Sequence, residues 1–336
     1  MAAHPLLPRG ADPWVVHHDG WYYYTQTTFR NVAIWRVRDL AELKTARRKI
    51  VWRPPAGTEY SQNLWAPELH LMDGKWYIYF AADDGHNRNH RLYVLENSSP
   101  DPTKGEWRFM GQLRTPGDCW AIDGSVFRCG GHRFLLWSGW EGCENGLQNI
   151  YIARLADPLT VSSPRVVIST PEFEWERHGR IAKPGPDDKP HVYVNEGPAA
   201  LIRNGRIWVT YSASGSWTEY YCVGLLWADL HSDLLNRASW NKCPEPVFTA
   251  VGAGVTGTCA AGHNSFFRSP DGTEDWILYH ANSAPGEGWT KRSPRAQRFN
   301  WDPMGCPQFG RPGVIEHQPA SMERTPADEP GAILTA

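Results

Sequence analysis

Five segments of the chain share one form, and this repetition constrains the fold more than any other feature. Each is a short apolar strand, a glycine turn and an aromatic strand that ends in small polar residues. The first reads DPWVVHHDGWYYYTQT, and the five begin at Asp12, Ala66, Asp123, Glu196 and His263. The turn glycines are Gly20, Gly74, Gly131, Gly205 and Gly272. Successive units are therefore 54, 57, 74 and 67 residues apart.

The spacing of the units indicates the fold. Each interval has room for roughly four short strands and their loops, and only residues 39–50 have the pattern of a short helix or helical turn. Four-stranded sheets repeated around an axis form a β-propeller, so the sequence predicts an all-β, five-bladed propeller. A β-sandwich is the alternative, but it does not predict five similar hairpins at this spacing. We expect one catalytic domain over residues 1–312 and a Pro-rich, partly disordered tail over 313–336.

Charge and aromatic content narrow the functional classes. The chain has 34 basic and 36 acidic residues and no Lys/Arg cluster, so nucleic acid or an anionic membrane is not the expected partner. No apolar run approaches the roughly 20 residues of a membrane span. There are 18 Trp, 13 Tyr and 11 Phe residues. Aromatic rings of this kind suit sugars, which present C–H faces and hydroxyl edges, although most of the rings are expected in the core.

The cysteines and the first residues give little information about the compartment. The seven cysteines include no CxxC pair, which argues against a zinc site. One or two disulfides are compatible with the sequence, for example among Cys119, Cys129 and Cys143. The chain begins without the basic and apolar regions of a signal peptide, so it is either made without an export signal or derived from a trimmed precursor.

Acidic residues occur at matched positions of the repeated unit. Asp12 and Asp123 lie eight residues before their turn glycines, whereas Glu196 and His263 lie nine before theirs. If the units are equivalent blades, these side chains meet at one mouth of the central channel. Carboxyl groups that converge repel one another, so the arrangement indicates metal binding or acid–base catalysis with separated pKa values. Two carboxyl groups on either side of a scissile bond are the machinery of glycoside hydrolysis.

These acids also carry a family resemblance. The motifs ADPWV around Asp12, AIDGSVF around Asp123 and VNEGPAAL around Glu196 resemble the acidic motifs of glycoside hydrolase family 43. That resemblance implies a five-bladed propeller that cleaves arabinofuranosyl or xylosyl linkages with inversion. It also implies that Asp12 is the general base and Glu196 the general acid. Asp123 would orient Glu196 and raise the pKa of its carboxyl group.

Further residues are expected at the site through the same resemblance. The segment YSQNLWAPELHLMDGKWYIYFAADDG looks like the second-blade motif of exo-acting α-L-arabinofuranosidases, which implies Trp65 in the pocket wall and Glu68 and His70 near its floor. Either Arg292 or Arg295 would grip sugar hydroxyls. His263 is similar to a channel histidine that binds a structural calcium ion, directly or through water. The candidates for stacking on sugar are Trp14, Trp120 and Trp140.

The expected activity is release of terminal α-L-arabinofuranosyl residues from arabinan or arabinoxylan oligosaccharides, with no cofactor needed for the chemistry. A β-xylosidase or arabinanase of the same fold is the alternative within this enzyme class. A non-catalytic sugar-binding propeller is the alternative outside it, although a lectin is expected to repeat its binding residues in every blade. Polymeric plant substrates are met outside cells, which favours export of a precursor over a cytoplasmic location. The oligomeric state stays open.

Overall fold

The computed structural model describes residues 5–185, 189–252 and 257–314. Nearly all regular structure in these ranges is β-strand, as expected. The first blade comprises β1 (Trp14–His18), β2 (Trp21–Thr25), β3 (Val32–Val37) and β4 (Lys49–Trp52). The second comprises β5 (Gln62–Met72), β6 (Lys75–Asp83), β7 (Arg91–Asn97) and β8 (Arg108–Gln112).

The third and fourth blades continue the pattern. The third comprises β9 (Ala121–Cys129), β10 (His132–Trp140), β11 (Leu147–Asp157), β12 (Thr160–Val161) and β13 (Val166–Ser169). The fourth comprises β14 (Tyr193–Arg203), β15 (Arg206–Ala213), β16 (Cys222–Asp229) and β17 (Asn241–Lys242). A short parallel pairing, in which Leu147 faces Tyr193, joins the two blades into one sheet.

The fifth blade closes the ring. It comprises β18 (Cys259–Arg268), β19 (Asp275–Asn282), β20 (Ser293–Trp301) and β21 (Pro307–Gln308). The inner strands β1, β5, β9, β14 and β18 each contact the next, and β18 contacts β1. The chain start joins the two ends, because the backbone N–H groups of Leu6 and Gly10 donate to the carbonyls of Pro294 and Arg292. The prediction of a five-bladed β-propeller is confirmed.

Aromatic side chains fill the space between blades, as a stack of twisted sheets requires. Tyr23 of the first blade packs against Trp76 of the second, with ring centroids 5.4 Å apart. Tyr22 meets Phe267 of the fifth blade edge-on at 5.7 Å. Burial of such a ring contributes roughly 1.5–3 kcal/mol to folding. Most aromatic residues are therefore needed to hold the blades together.

Outside the strands, five short 3₁₀ helices are present in the described ranges: Leu40–Lys44, Asn87–Asn89, Glu174–Glu176, Arg237–Ser239 and Gly288–Lys291. The first matches the helical turn expected within residues 39–50, and the Asp39 side chain caps it by accepting the Ala41 N–H. The rest of that segment runs into β4. Residues 315–336 of the predicted tail lie outside the described residues.

The seven cysteines are free thiols in this structure. Cys129 is buried, and its thiol points to the Leu230 carbonyl in the fourth blade at 3.6 Å. It is therefore directed away from the other two cysteines considered for a disulfide. The thiols of Cys119 and Cys143 lie within hydrogen-bonding distance of each other beyond the ends of β9 and β10, so only this pair of the three is brought together.

Candidate active site

Each of the five units has one residue with a left-handed backbone conformation, either near the start of its inner strand or just before it. Asp12, Ala66, Asp123, Gly197 and His263 all have a left-handed φ, between 42° and 57°. This conformation is uncommon outside glycine, although Asp and His adopt it more readily than most residues. Four of these residues come eight positions before the turn glycine of their own unit, and His263 comes nine before because its turn is longer.

The shared left-handed position corrects the alignment of the fourth unit. The equivalent of Asp12 and Asp123 is Gly197, and Glu196 lies one residue earlier. A side chain at Gly197 would be crowded and strained, because a Cβ atom there would lie 3.1 Å from the His263 ring and the backbone has a left-handed φ of 54°. The Gly197 N–H donates to the Asp123 carboxylate over 2.9 Å. Gly197 thus links the backbone beside Glu196 to Asp123.

The Asp12 carboxyl group is surrounded by donors and cations. Its Oδ1 lies 3.2 Å from His263 Nδ1 and 3.3 Å from Arg292 Nη1, and its Oδ2 accepts the Thr27 hydroxyl. Burial opposes ionisation, but the electrostatic interactions with His263, Arg292 and His280 and the Thr27 hydrogen bond outweigh it and lower the pKa of Asp12 to about 2. Asp12 is therefore ionised at every pH at which the protein is expected to work.

His280 supports Asp12 from the second strand of the fifth blade, and we did not predict it. The Asp12 backbone N–H donates to His280 Nδ1 over 3.1 Å, so the ring proton lies on Nε2. Burial, followed by the nearby Arg292, holds the pKa of His280 well below its usual value. The sequence did contain a signal, because the small polar residues that end the other aromatic strands are replaced by a histidine here.

Glu196 lies in different surroundings. It is partly exposed to the cavity, and protein atoms surround its carboxyl group. Burial, and then the negative charge of Asp12, raise the pKa of Glu196 to about 7, although the Tyr221 hydroxyl donates to its Oε1 over 2.7 Å. The Tyr221 ring stacks on His280 at 5.5 Å and an interplanar angle of 2°. Tyr221 is a second contact that the sequence did not reveal.

Asp123 is buried on the third blade and interacts with both other acids. Burial, followed by Glu196 and Asp12, raises the pKa of Asp123 well above its usual value. We expected an ionised Asp123 to raise the pKa of Glu196, whereas burial and Asp12 are the leading causes in the structure. The charge of Glu196 disfavours ionisation of Asp123, so the protonation states of these two carboxyl groups are linked.

A cavity of about 460 Å³ opens above these carboxyl groups, and we call it the catalytic cavity. Asp12, Asp123, Glu196, His263 and Arg292 all line it. The structure therefore brings the predicted acids and histidine to one place. Its outer wall includes three aromatic residues that the sequence did not single out, Phe29, Trp217 and Trp289. Phe29 and Trp289 are about half exposed, at 49% and 53%.

Two of the predicted tryptophans line the catalytic cavity and two do not. Trp65 and Trp120 are in its wall. Trp140 lies behind Trp120, parallel to it at 4.8 Å, and is buried. Trp14 is a core residue whose indole N–H donates to the Leu69 carbonyl. The structure therefore places Trp65 and Trp120 at the catalytic cavity but does not bring Trp14 or Trp140, both expected to stack on sugar, to its lining.

The two candidate arginines, Arg292 and Arg295, lie in different environments. Arg292 lines the cavity and contacts Asp12, whereas Arg295 is buried among the Gly257 carbonyl and the hydroxyls of Thr258 and Ser283. The structure thus selects Arg292 between the two.

Glu68 and His70 are both buried, and Glu68 Oε2 lies 3.3 Å from His70 Nε2. Burial raises the pKa of Glu68 well above its usual value, and Asp123 raises it further. Neither residue is part of the cavity lining, so they belong to the packing around Asp123, and the expected place on the pocket floor is not observed.

His263 does not stand in a cluster of metal ligands. In the described ranges, no group of three or more His, Cys, Asp or Glu side chains is placed to hold an ion. Its Nδ1 faces Asp12, and burial together with Arg292 lowers the pKa of His263. Calcium takes six to eight oxygen ligands, so the residues present do not by themselves form a calcium site. No helix in those ranges is long and apolar enough to span a membrane.

Comparison of the chain with known proteins identifies a family of glycosidases, in agreement with the paired carboxyl groups in the cavity. The family model for glycosyl hydrolases family 43 matches residues 3–307. The chain belongs to that family. It is therefore a glycosidase, and the family inverts configuration and needs no cofactor for catalysis. An extracellular exo-α-(1→5)-L-arabinofuranosidase of Streptomyces chartreusis is 40% identical over 82% of this chain and 81% of that relative.

Two other relatives are similar over most of the chain. Alpha-L-arabinofuranosidase 43 of Humicola insolens is 37% identical over 91% of this chain, which spans only 63% of that protein's length. The crystal structure of an α-L-arabinofuranosidase from Lactobacillus brevis superposes with a TM-score of 0.84 and 36% identity, covering 94% of this chain and 98% of that one.

Proposed function

We propose that Asp12 is the general base, Glu196 the general acid and Asp123 the positioning carboxyl of an inverting exo-glycosidase. The enzyme releases terminal α-L-arabinofuranosyl residues. The relatives named as arabinofuranosidases match this chain at 36–40% identity. We further propose that the substrates are arabinan or arabinoxylan oligosaccharides and that residues 1–312 form one catalytic domain.

The observation that carries the residue roles is that Asp12 and Glu196 line one cavity in different surroundings, Asp12 beside His263 and Arg292 and Glu196 beside the Tyr221 hydroxyl. Asp12 has a pKa of about 2 and Glu196 one of about 7. Between these values Asp12 is ionised while Glu196 keeps its proton. Paired carboxyl groups with pKa values that are pushed apart are a general pattern for acid and base roles.

The base step needs an ionised carboxylate with one accessible oxygen. Asp12 is held by Thr27, His263 and Arg292, which fix the direction of its carboxylate. We propose that it takes a proton from a water molecule, which attacks the anomeric carbon from the side opposite to the leaving oxygen. Inverting enzymes keep their two carboxyl groups roughly 6.5–9.5 Å apart to admit this water, and we expect Asp12 and Glu196 to do so.

The acid step depends on the proton of Glu196. Tyr221 donates to Oε1 of Glu196 and so accepts no proton from it. The other carboxyl oxygen is then the one that we propose donates to the glycosidic oxygen. Asp123 orients this group through the Gly197 N–H, and the charge of Glu196 disfavours ionisation of Asp123.

The predicted calcium ion stays a prediction. With His263 Nδ1 facing Asp12, an ion in the channel would take most of its ligands from water. We therefore expect removal of divalent ions with EDTA to leave turnover unchanged, with the melting temperature as a separate readout of a structural ion.

A panel of substrates tests the proposed function. Wild-type protein is assayed with α-L-arabinofuranosyl and β-xylosyl oligosaccharides, and NMR follows the anomer that first appears. We expect arabinose in the inverted, β configuration from arabinosyl substrates. A preference for xylosyl substrates would support the β-xylosidase alternative, an α-anomer would contradict the inverting mechanism, and binding without turnover would support the lectin alternative.

A further inference from the structure

A second cavity of about 410 Å³ adjoins the catalytic cavity. Trp217 lines both cavities, so one side chain forms the partition between them. The second cavity also contains Arg177, Arg180 and Glu219 in its wall. Its position makes it reachable for a part of the substrate that extends beyond the terminal sugar.

A two-stranded ribbon positions the lining of both cavities. Residues 179–181 and 190–192 run antiparallel, with hydrogen bonds from Val192 N–H to Gly179 O and from Ile181 N–H to Pro190 O. Successive side chains of an extended ribbon point to opposite sides. Ile181 and Val192 line the catalytic cavity, whereas Arg180 and the residue opposite it, His191, line the second cavity.

Trp217 is fixed to this ribbon. Its indole N–H donates to the Arg180 carbonyl over 2.8 Å, and Trp289 meets its ring edge-on at 5.4 Å. The partition therefore has a defined position. A glycan that lies across Trp217 places its terminal sugar on one side and its next sugars beside Arg180.

The second cavity has an excess of positive charge. Arg177 and Arg180 are exposed, and neither forms an ion pair with any residue in the ranges that the structure describes. Arg177 donates through Nε to the Pro171 carbonyl, its guanidinium carbon lies 5.8 Å from the centre of the Tyr193 ring, and its two Nη groups form no hydrogen bond within the described ranges. Glu219 is the acidic residue of the lining, and it is outnumbered by the two guanidinium groups. His178 stacks on Tyr220 at 3.9 Å and forms a flat floor beside them.

We propose that the second cavity binds the carboxylate of a uronic acid residue in the aglycone of the substrate. A guanidinium group forms paired, charge-assisted hydrogen bonds to a carboxylate, and the Tyr220–His178 stack offers an aromatic face to a sugar ring. The preferred substrates are then acidic arabinosyl oligosaccharides. This inference rests on the proposed function, because it assumes that an arabinofuranosyl unit occupies the catalytic cavity.

The test uses short arabinofuranosyl oligosaccharides with a uronic acid as the first or second sugar of the aglycone, each paired with its methyl ester. The ester removes the charge and keeps the ring. For the wild type we expect kcat/KM to be about tenfold higher for an acid than for its ester, the factor that a single charge-assisted hydrogen bond supplies. High salt should reduce this ratio.

The double variant Arg177→Ala/Arg180→Ala should lower the acid-to-ester ratio to about one. Arg47→Ala/Arg48→Ala is the matched control, since it removes two exposed arginines of the first blade and should leave the ratio unchanged. Turnover of the ester reports whether each variant is folded. A wild-type ratio of one at both positions, or a ratio that Arg177→Ala/Arg180→Ala leaves unchanged, would overturn the proposal.

Failure of the proposed function gives a different result. In that case neither acid nor ester releases arabinose, and calorimetry of the same compounds with the wild type decides whether the acid still binds more tightly than its ester. Equal binding of the two compounds would then also overturn the uronate site.

Discussion

The surroundings of Asp12 and Glu196 differ although both carboxyl groups face one cavity. Asp12 is next to His263, His280 and Arg292, and three of its four nearest polar partners come from the fifth blade. Glu196 accepts one hydroxyl, from Tyr221, and is partly exposed to the cavity. The repeated strand therefore determines where an acid lies. Its protonation state depends on the side chains around it, which for Asp12 come mainly from the fifth blade.

Removal of the base should have the largest effect. Asp12→Asn keeps the shape and the left-handed backbone but cannot accept a proton, so kcat should fall by up to about 10⁴-fold. The loss should be the same for every leaving group, measured on 4-nitrophenyl α-L-arabinofuranoside and on an arabinan oligosaccharide. Asp19→Asn, in the exposed turn of the same hairpin, is the matched control. Retained activity in Asp12→Asn would contradict the base role.

Removal of the acid should depend on the substrate. Glu196→Ala should lose about 10³-fold in kcat/KM on a natural linkage. It should lose much less on the 4-nitrophenyl glycoside, whose leaving group needs little protonation. An equal loss on both substrates would mean that Glu196 acts in some way other than proton donation. Glu245→Ala, an exposed glutamate in the fourth blade, checks for general effects of removing a negative charge.

Arg292 affects the pKa of both Asp12 and Glu196, so its substitution should shift both limbs of the pH profile of kcat/KM. Its charge lowers the pKa of Asp12 and of Glu196, so Arg292→Gln should shift the acidic and the basic limb of kcat/KM to higher pH. Arg292→Lys keeps the charge and should shift them less. Tyr221→Phe should shift only the basic limb to higher pH, because the Tyr221 hydrogen bond lowers the pKa of Glu196 but not that of Asp12. If neither limb of the pH profile shifts in Arg292→Gln, Arg292 does not influence the titration of either acid.

The smallest effect concerns stability. The pKa of Glu196 rises from its ordinary 4.5 to about 7 on folding, so the folded protein holds a proton that the unfolded chain releases between these values. The free energy of unfolding should therefore fall as pH rises from about 4.5 to 7. Glu196→Gln should remove this fall and be more stable than the wild type by about 3 kcal/mol at pH 8. Urea denaturation at pH 4 and pH 8 measures it, and equal stability at pH 8 would contradict the raised pKa.

Much of the fold followed from the sequence, because hairpin spacing and turn chemistry are local properties. The positions of Asp12, Asp123 and Glu196 followed from the same repeat. The repeat could not reveal that Gly197, and not Glu196, is the structural equivalent of Asp12, since a left-handed φ is a property of backbone conformation. A search of each unit for residue types that tolerate a left-handed φ, eight positions before the turn glycine, would have identified Gly197.

The contacts between blades were harder to predict. Arg292 and Arg295 are three residues apart, and their opposite surroundings depend on how β20 packs beside the chain start. Trp14 and Trp120 both stand near acidic motifs, yet one is covered by the second blade and the other faces the cavity. Sequence distance from an acid therefore does not indicate which aromatic ring meets the substrate.

The closure between the chain start and the fifth blade has a consequence for synthesis. Asp12 leaves the ribosome before the fifth blade is made, because His263, His280 and Arg292 follow it about 250–280 residues later. At roughly 5–20 residues per second, the growing chain holds its base for many seconds without the three side chains that hold the Asp12 carboxylate in place. The catalytic site is thus completed only when the last blade has been made, and a chain that stops after the fourth blade carries all three acids in an inactive arrangement.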